Sequence, residues 1–232
     1  MTASVETFPS VDFAAGVASQ VQNALAPGIR LCLATGNTPT PVYERVAAET
    51  ALDGLEIFLL DEFGGLPRDD PGRCISMLAR DLLDRAEGHP VVHGPEVDAP
   101  DPNQAAERYR QLVADGGIDL AIVGLGANGH VGMNEPGTTV EMGTRVVTLE
   151  PTTSENASRY GAGMTPTWGI TVGMAELMAA RDVWVLVTGA HKTDILNRTL
   201  HGAVDSDVPA TFLTEHPSCT FYVDESALTG SD

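Results

Sequence analysis

The chain has 232 residues, of which 43% are hydrophobic types, and its formal net charge at pH 7 is −19. This length suits one α/β domain with a sizeable core. The strong negative charge argues against nucleic acids and anionic membrane surfaces as partners, because both bind cationic faces. An anionic small molecule would have to be held by a few local cations and backbone N–H groups.

The cysteines Cys32, Cys74 and Cys219 are odd in number and widely spaced, with no CxxC pair. This pattern predicts neither a disulfide framework nor a zinc knuckle, and Cys32, inside an apolar run, is predicted to be core. The amino terminus lacks a basic region, and no window approaches the ~18 apolar residues of a membrane helix. We therefore expect a cytoplasmic protein.

Strands and helices are predicted to alternate along the chain. Apolar, β-branched runs predict strands at residues 29–34, 56–60, 90–93, 118–123, 145–149, 183–187 and 220–223. Apolar periodicity and helix-start residues predict a first helix after Ser10, its candidate N-cap, to about Leu25. Further helices are predicted after Pro39 and at 74–86, 101–114, 154–160, 174–180 and 189–201. Alternation of this kind predicts a single domain, residues 1–232, with three α/β/α layers and a mostly parallel, Rossmann-like sheet.

The first strand ends in a turn that contains a glycine and two hydroxyl side chains, Thr35-Gly36-Asn37-Thr38. Exposed N–H groups at a helix start, with the positive end of the helix dipole behind them, hold a phosphate well. The turn is not a P-loop, because the lysine of that motif is absent. An ordinary turn is the alternative interpretation.

The second strand ends at Asp61-Glu62. Two acids at a strand end are usually just solvated. The bulky apolar residues around Asp61 would, however, raise its pKa above the ~3.9 reference value and make it a better base. Asp61 is therefore a candidate catalytic base.

The strand at 118–123 runs into the glycine-rich segment 124–137, which begins with GLGANG. This matches the GxGxxG fingerprint of dinucleotide-binding proteins, and NAD binding is a distant alternative. A helix should follow the last glycine, but Gly132, Asn134, Pro136 and Gly137 disfavour one. We predict a loop, in which His130 is an acid/base group oriented by Glu135.

Two cations complete the candidate site, Arg159 and Lys192, in a chain with only 13 lysines and arginines. Lys192 is the only lysine in the sequence. It stands at the start of a predicted helix, where the helix dipole disfavours a cation unless an anion is bound there. This position indicates an anionic ligand.

Six segments occur in the same order as in a known family, and the chain resembles the glucosamine-6-phosphate deaminases, also called isomerase/deaminases. The matching segments are LATGNTPTPVYERV, LLDEFGGLP, IDLAIVGLGANGHVGMNEPG, TSENASRY, ITVGMAEL and VLVTGAHKTDIL. The GxNGHxxxNEPG pattern is the most specific, because the related 6-phosphogluconolactonases carry a GPDGH-type loop without NEPG. The resemblance implies a fold of the sugar-phosphate isomerase and CoA-transferase type.

The resemblance also implies a reaction, the conversion of glucosamine 6-phosphate and water to fructose 6-phosphate and ammonia in amino-sugar catabolism. Asp61 would move the C2 proton to C1, and His130 would drive ring opening, oriented by Glu135 and assisted by Asn128. The groups that would bind the 6-phosphate are Gly36, Asn37, Thr38, Arg159 and Lys192. No metal ion or organic cofactor would be required.

The chain departs from the family pattern at a few positions. Asn128 stands where some members have aspartate, and an amide cannot take a proton, so His130 would carry more of the ring opening. Asn37 replaces a glycine of some members. Val147 replaces a cation of the allosterically regulated members, whose longer tail is also absent. We therefore expect no activation by N-acetylglucosamine 6-phosphate, which kinetics with and without that sugar would test.

Several alternatives remain at this point. The enzyme could prefer galactosamine 6-phosphate, or it could be a 6-phosphogluconolactonase, which the NEPG and DEFGGLP segments disfavour. It could also be an inactive regulator that binds a sugar phosphate, although Asp61, His130 and Glu135 are all present. The sequence leaves open whether the chain is a monomer or a homo-oligomer.

Overall fold

The computed structural model describes residues 3–230, apart from the side chain of Ser158. The strands are β1 (Ser4–Phe8), β2 (Arg30–Leu33), β3 (Glu56–Leu59), β4 (Asp61–Phe63), β5 (Val91–His93), β6 (Leu120–Gly124), β7 (Arg145–Thr148), β8 (Trp168–Thr171), β9 (Asp182–Val187) and β10 (Cys219–Asp224). The α-helices are α1 (Phe13–Ala24), α2 (Thr40–Glu49), α3 (Cys74–Leu78), α4 (Pro102–Ala114), α5 (Pro151–Arg159), α6 (Met174–Met178), α7 (Thr193–His201) and α8 (Glu225–Thr229).

Seven strands form one parallel sheet in the order β1-β10-β9-β6-β2-β3-β5. The most apolar strand, β6, lies at its centre, as its buried sequence LAIVG requires. From β2 the chain continues to β3 on one side, and from β6 it reaches β9 on the other. The neighbours β2 and β6 therefore form a topological switch point, where open α/β sheets bind ligands at the strands' carboxyl ends.

The core lies on both faces of this sheet, because successive strand residues point to opposite sides. In β2, Leu31 and Leu33 pack with the buried faces of α1, α2 and α3. Cys32 points the other way, against residues of α4, α6 and α7, and is fully buried. The three-layer α/β/α architecture and the core position of Cys32 are thus confirmed.

A second, antiparallel sheet was not predicted, and its strand order is β4-β8-β7. The chain passes from the large sheet into the small one at Leu60, whose N–H donates to Leu33 O and whose carbonyl accepts from Val172 N. Asp61 and Glu62 therefore begin a strand instead of ending one, and Asp61 pairs with Thr171. Three residues are too few to give a strand signal in the sequence.

Other differences have local causes. The edge strand β1 was missed because four of its five residues are exposed, which leaves no apolar pattern. The prediction of Ser10 as the N-cap of the first helix was wrong, since Asp12 holds that position without a side-chain cap. The helix predicted at 74–86 is α3 followed by a π-helical segment, Ala79–Leu83. A short helix that was not predicted, α8, follows the last predicted strand. Within residues 3–230 no helix is long and apolar enough to cross a membrane.

Candidate active site

The carboxyl ends of four adjacent strands, β9, β6, β2 and β3, bring most of the predicted site residues to one edge of the sheet. The turn 36–38 follows β2, and Asp61 lies two residues after β3. Asn128, His130 and Glu135 follow β6, and Lys192 follows β9. Arg159 comes from outside the sheet, at the end of α5.

The segment after β6 is a loop, as predicted, in which glycines make room for His130. A Cβ on Gly126 would lie 2.2 Å from the His130 ring, so only glycine permits this ring position. Gly129 has a φ of +87°, which favours glycine. The His130 N–H donates to Asn128 Oδ1 at 3.1 Å. The loop therefore fixes both the backbone and the ring of His130.

The two carboxylate oxygens of Glu135 face different partners. Oε2 lies 3.2 Å from His130 Nδ1 and accepts from Asn128 Nδ2 at 3.1 Å. Oε1 accepts from the Thr153 hydroxyl at 2.5 Å. Burial raises the pKa of Glu135, but the neighbouring His130 ring and the donors Thr153 and Asn128 outweigh burial and lower it below its ordinary value. Glu135 is thus a buried carboxylate beside the histidine.

The carboxyl group of Asp61 has a pKa raised to about 6, mainly by burial. The Cys74 thiol donates to its Oδ1 at 3.4 Å and lowers the pKa, the carboxylate of Glu62 raises it, and His130 lowers it. Glu62 itself is 2% exposed and accepts from the N–H groups of Cys74 and Ile75. Asp61 therefore has the pKa of a base suited to neutral pH, whereas Glu62 secures the start of α3.

Removing the thiol is expected to make the activity more sensitive to acid. In Cys74→Ala the Asp61 carboxylate loses a donor, its pKa rises, and the pH of half-maximal kcat/KM moves above about 6. Cys74→Ser keeps a hydroxyl donor and should keep the wild-type midpoint. An unchanged profile in Cys74→Ala would show that the thiol does not act on the base.

The turn after β2 presents free backbone donors. The N–H groups of Gly36, Asn37 and Thr38 bond to no acceptor within residues 3–230. Gly36 has a φ of +112°, and a Cβ there would lie 3.2 Å from the Tyr160 hydroxyl. The Thr38 hydroxyl lies 3.2 Å from that of Thr188, which links this turn to the end of β9. The geometry fits an anion cradle at the start of α2.

Lys192 is the N-cap residue of α7 and ends a 3-10 turn, Ala190–Lys192. Burial lowers the pKa of its ammonium group, and no carboxylate lies within 4 Å of it in the part of the chain that is described. A half-buried cation without a counter-ion fits a site that binds an anion. Arg159 is exposed and likewise makes no ion pair among those residues.

Lys192→Met is expected to raise KM for a phosphorylated substrate by about 10- to 100-fold, the loss of one charge-assisted contact, with a smaller effect on kcat. Inorganic phosphate should raise the melting temperature of the wild type and should raise that of the variant less. The exposed Arg198→Met serves as the matched control. An unchanged KM would remove Lys192 from the anion site.

A cavity of about 680 Å³ also contains arginines. Leu59 and Glu62 line it, but none of the predicted site residues does. Its three cations face three carboxylates: Arg68 pairs with Asp98, Arg73 with Asp98 and Glu62, and Arg108 with Glu96. The cavity therefore offers no uncompensated positive charge to an anion. The volume of this cavity therefore does not identify it as the anion-binding site.

Sequence reasoning missed four side chains that contact the site, Cys74, Thr153, Tyr160 and Thr188. Each acts across the fold, on a partner from another element, so no local spacing identifies it. Thr153 and Tyr160 are the first and last residues of the segment TSENASRY. The sequence does not show which residues they contact, because those contacts depend on how α5 packs.

Comparison with known proteins identifies a family whose profile matches most of the chain. The profile of "Glucosamine-6-phosphate isomerases/6-phosphogluconolactonase" matches residues 10–222. The chain is 38% identical over 207 residues to a glucosamine-6-phosphate deaminase of Beutenbergia cavernae, covering 85% of this chain and 79% of that one. A solved monomeric glucosamine-6-phosphate deaminase superposes with a TM-score of 0.91 and 28% identity, covering 97% and 98% of the two chains. A 6-phosphogluconolactonase of Thermotoga maritima shares the fold, with a TM-score of 0.78 and 21% identity over 96% and 100% of the chains.

Proposed function

Because the chain belongs to the family of glucosamine-6-phosphate isomerases and 6-phosphogluconolactonases, we propose that it converts glucosamine 6-phosphate and water to fructose 6-phosphate and ammonia. The observation that carries this proposal is a raised-pKa aspartate, Asp61, near the pair of His130 and Glu135. An aldose–ketose isomerisation needs one mobile base, and ring opening needs a proton shuttle.

In the first step the 6-phosphate is held by the N–H groups of Gly36, Asn37 and Thr38, with Lys192 and Arg159 supplying positive charge. His130 takes the proton of the anomeric hydroxyl and returns a proton to the ring oxygen as the C1–O5 bond breaks. Glu135 stabilises the charged imidazole, and Asn128 fixes both groups through its amide.

In the second step Asp61 removes the C2 proton of the open chain and delivers it to C1. The electron pair of the broken C2–H bond forms the C1=C2 double bond of an enolamine, while the C1 carbonyl oxygen takes a proton from the ammonium group of the substrate. Return of the first proton from Asp61 to C1 then leaves an iminium at C2. Water adds to C2, and ammonia leaves as the ketone forms. A pKa of about 6 keeps Asp61 ionised at neutral pH, while its conjugate acid can still return the proton.

Since charged sugar phosphates do not cross membranes unaided, we place the reaction in the cytoplasm. The direct test supplies the purified protein with glucosamine 6-phosphate, galactosamine 6-phosphate and 6-phosphogluconolactone in parallel. We expect equimolar ammonia and fructose 6-phosphate from the first. Turnover of galactosamine 6-phosphate alone would show that the enzyme is a deaminase for the other epimer. Turnover of the lactone alone would show that it is an ester hydrolase and not a deaminase. No turnover of any would favour a binding protein.

A further inference from the structure

Thr153 is a buried residue of α5 that contacts the proposed catalytic pair from a different part of the chain. Its side chain is 7% exposed, and its hydroxyl donates to Glu135 Oε1 at 2.5 Å. The other oxygen, Oε2, faces His130 Nδ1. The terminal torsion of a glutamate is broad and roughly two-fold, so a donor on Oε1 limits the rotation that would move Oε2 away from the ring.

The backbone around Glu135 is fixed independently of Thr153. Arg145 donates to Asn134 Oδ1 at 2.9 Å and to Thr138 Oγ1 at 3.0 Å. The Thr138 hydroxyl in turn donates to the Glu135 carbonyl at 2.7 Å. Loss of the Thr153 hydroxyl would therefore release Oε1 of Glu135, with Asn128 as the remaining side-chain donor to the carboxylate, without releasing the loop that carries it.

We propose that Thr153 is a positioning residue, which holds the Glu135 carboxylate in the orientation that serves His130. This inference rests on the proposed function, because it assigns a role within the ring-opening step. Thr153 lies seven residues before Tyr160, which is about 10 Å along a helix. It is therefore remote from the phosphate turn, and its loss should affect kcat more than KM.

The test compares variants of matched shape. Thr153→Val replaces the hydroxyl with a methyl group and should lower kcat by about 10- to 100-fold, the range for a hydrogen bond to a charged group, while KM changes less than about threefold. Thr153→Ser should restore most of the rate, because it keeps the donor. Thr152→Val, the same change at the exposed neighbouring position, should match the wild type.

A double-mutant cycle separates positioning from a general effect on folding. If Thr153 acts through Glu135, adding Thr153→Val to Glu135→Gln should lower kcat no further. The same fractional loss in both backgrounds, or a fully active Thr153→Val, would overturn the proposal. If Thr153→Val does not fold, Thr153→Ala takes its place, and the melting temperature of Thr153→Ala is measured to show that it is folded.

The assay uses whichever of the two amino-sugar phosphates the wild type deaminates. A wild type without deaminase activity would contradict the proposed function. An active wild type with an equally active Thr153→Val would contradict only the role of Thr153.

Discussion

Asp61→Asn is expected to lower kcat by about 10²- to 10⁴-fold, the usual contribution of a general base, and to leave KM nearly unchanged. Asparagine preserves the shape and the polarity of the side chain, but it cannot take the C2 proton. The measurement is ammonia release under saturating glucosamine 6-phosphate. Asp69→Asn, the same change at an exposed position of the following loop, is the control. Equal turnover by the wild type and Asp61→Asn would remove Asp61 from the mechanism.

The same substitution is expected to stabilise the fold. Because burial raises the folded-state pKa of Asp61 from 3.8 to about 6, the unfolded chain releases this proton at a lower pH. Stability is therefore lost as pH rises from 3.8 to about 6, and it stays lower above that range. Removing the ionisable group should raise the free energy of unfolding by up to about 3 kcal/mol at pH 8, roughly twice the gain at pH 5. Denaturant unfolding at both pH values measures this difference, and a loss of stability at pH 8 would contradict it.

His130→Gln is expected to lower kcat by about 10²- to 10³-fold, because the ring-opening proton shuttle is lost, with little change in KM. Glutamine retains hydrogen-bonding groups of similar reach and fits the space left by Gly126. Glu135→Gln should have a smaller effect, since it removes only the charge that supports the imidazole. His201→Gln, at an exposed helix end, is the control.

The relative losses of kcat in His130→Gln and Glu135→Gln distinguish the roles of the two side chains. If Glu135→Gln lowered kcat as strongly as His130→Gln, the carboxylate would itself exchange protons with the substrate. If His130→Gln changed mainly KM, the histidine would bind the substrate without taking part in proton transfer.

Six of the seven strands of the parallel sheet could be predicted from sequence, because these strands, unlike the exposed edge strand β1, are apolar runs separated by helix signals. The central position of β6 follows from its composition, since only a strand covered on both faces contains no polar residue. The small antiparallel sheet could not be predicted, because β4 has three residues and its partner β8 lies more than a hundred residues later. The pairing is set by packing and not by local pattern.

The candidate site was accessible from sequence only in part. Groups that follow strands, such as Asp61 and His130, could be placed at one sheet edge from topology alone. The side chains that hydrogen-bond to the candidate catalytic carboxylates could not be placed from topology. Cys74 reaches Asp61 across 13 positions, and Thr153 reaches Glu135 across 18. Such contacts depend on how α3 and α5 pack against the sheet edge.

The most direct test of the site is a crystal structure with the reduced open-chain substrate, the amino alcohol 6-phosphate, which cannot isomerise. We expect its phosphate against the N–H groups of 36–38 and the Lys192 ammonium, and its C2 in contact with the Asp61 carboxylate. A phosphate bound in the cavity of Arg68, Arg73 and Arg108, or a C2 atom remote from Asp61, would contradict the account.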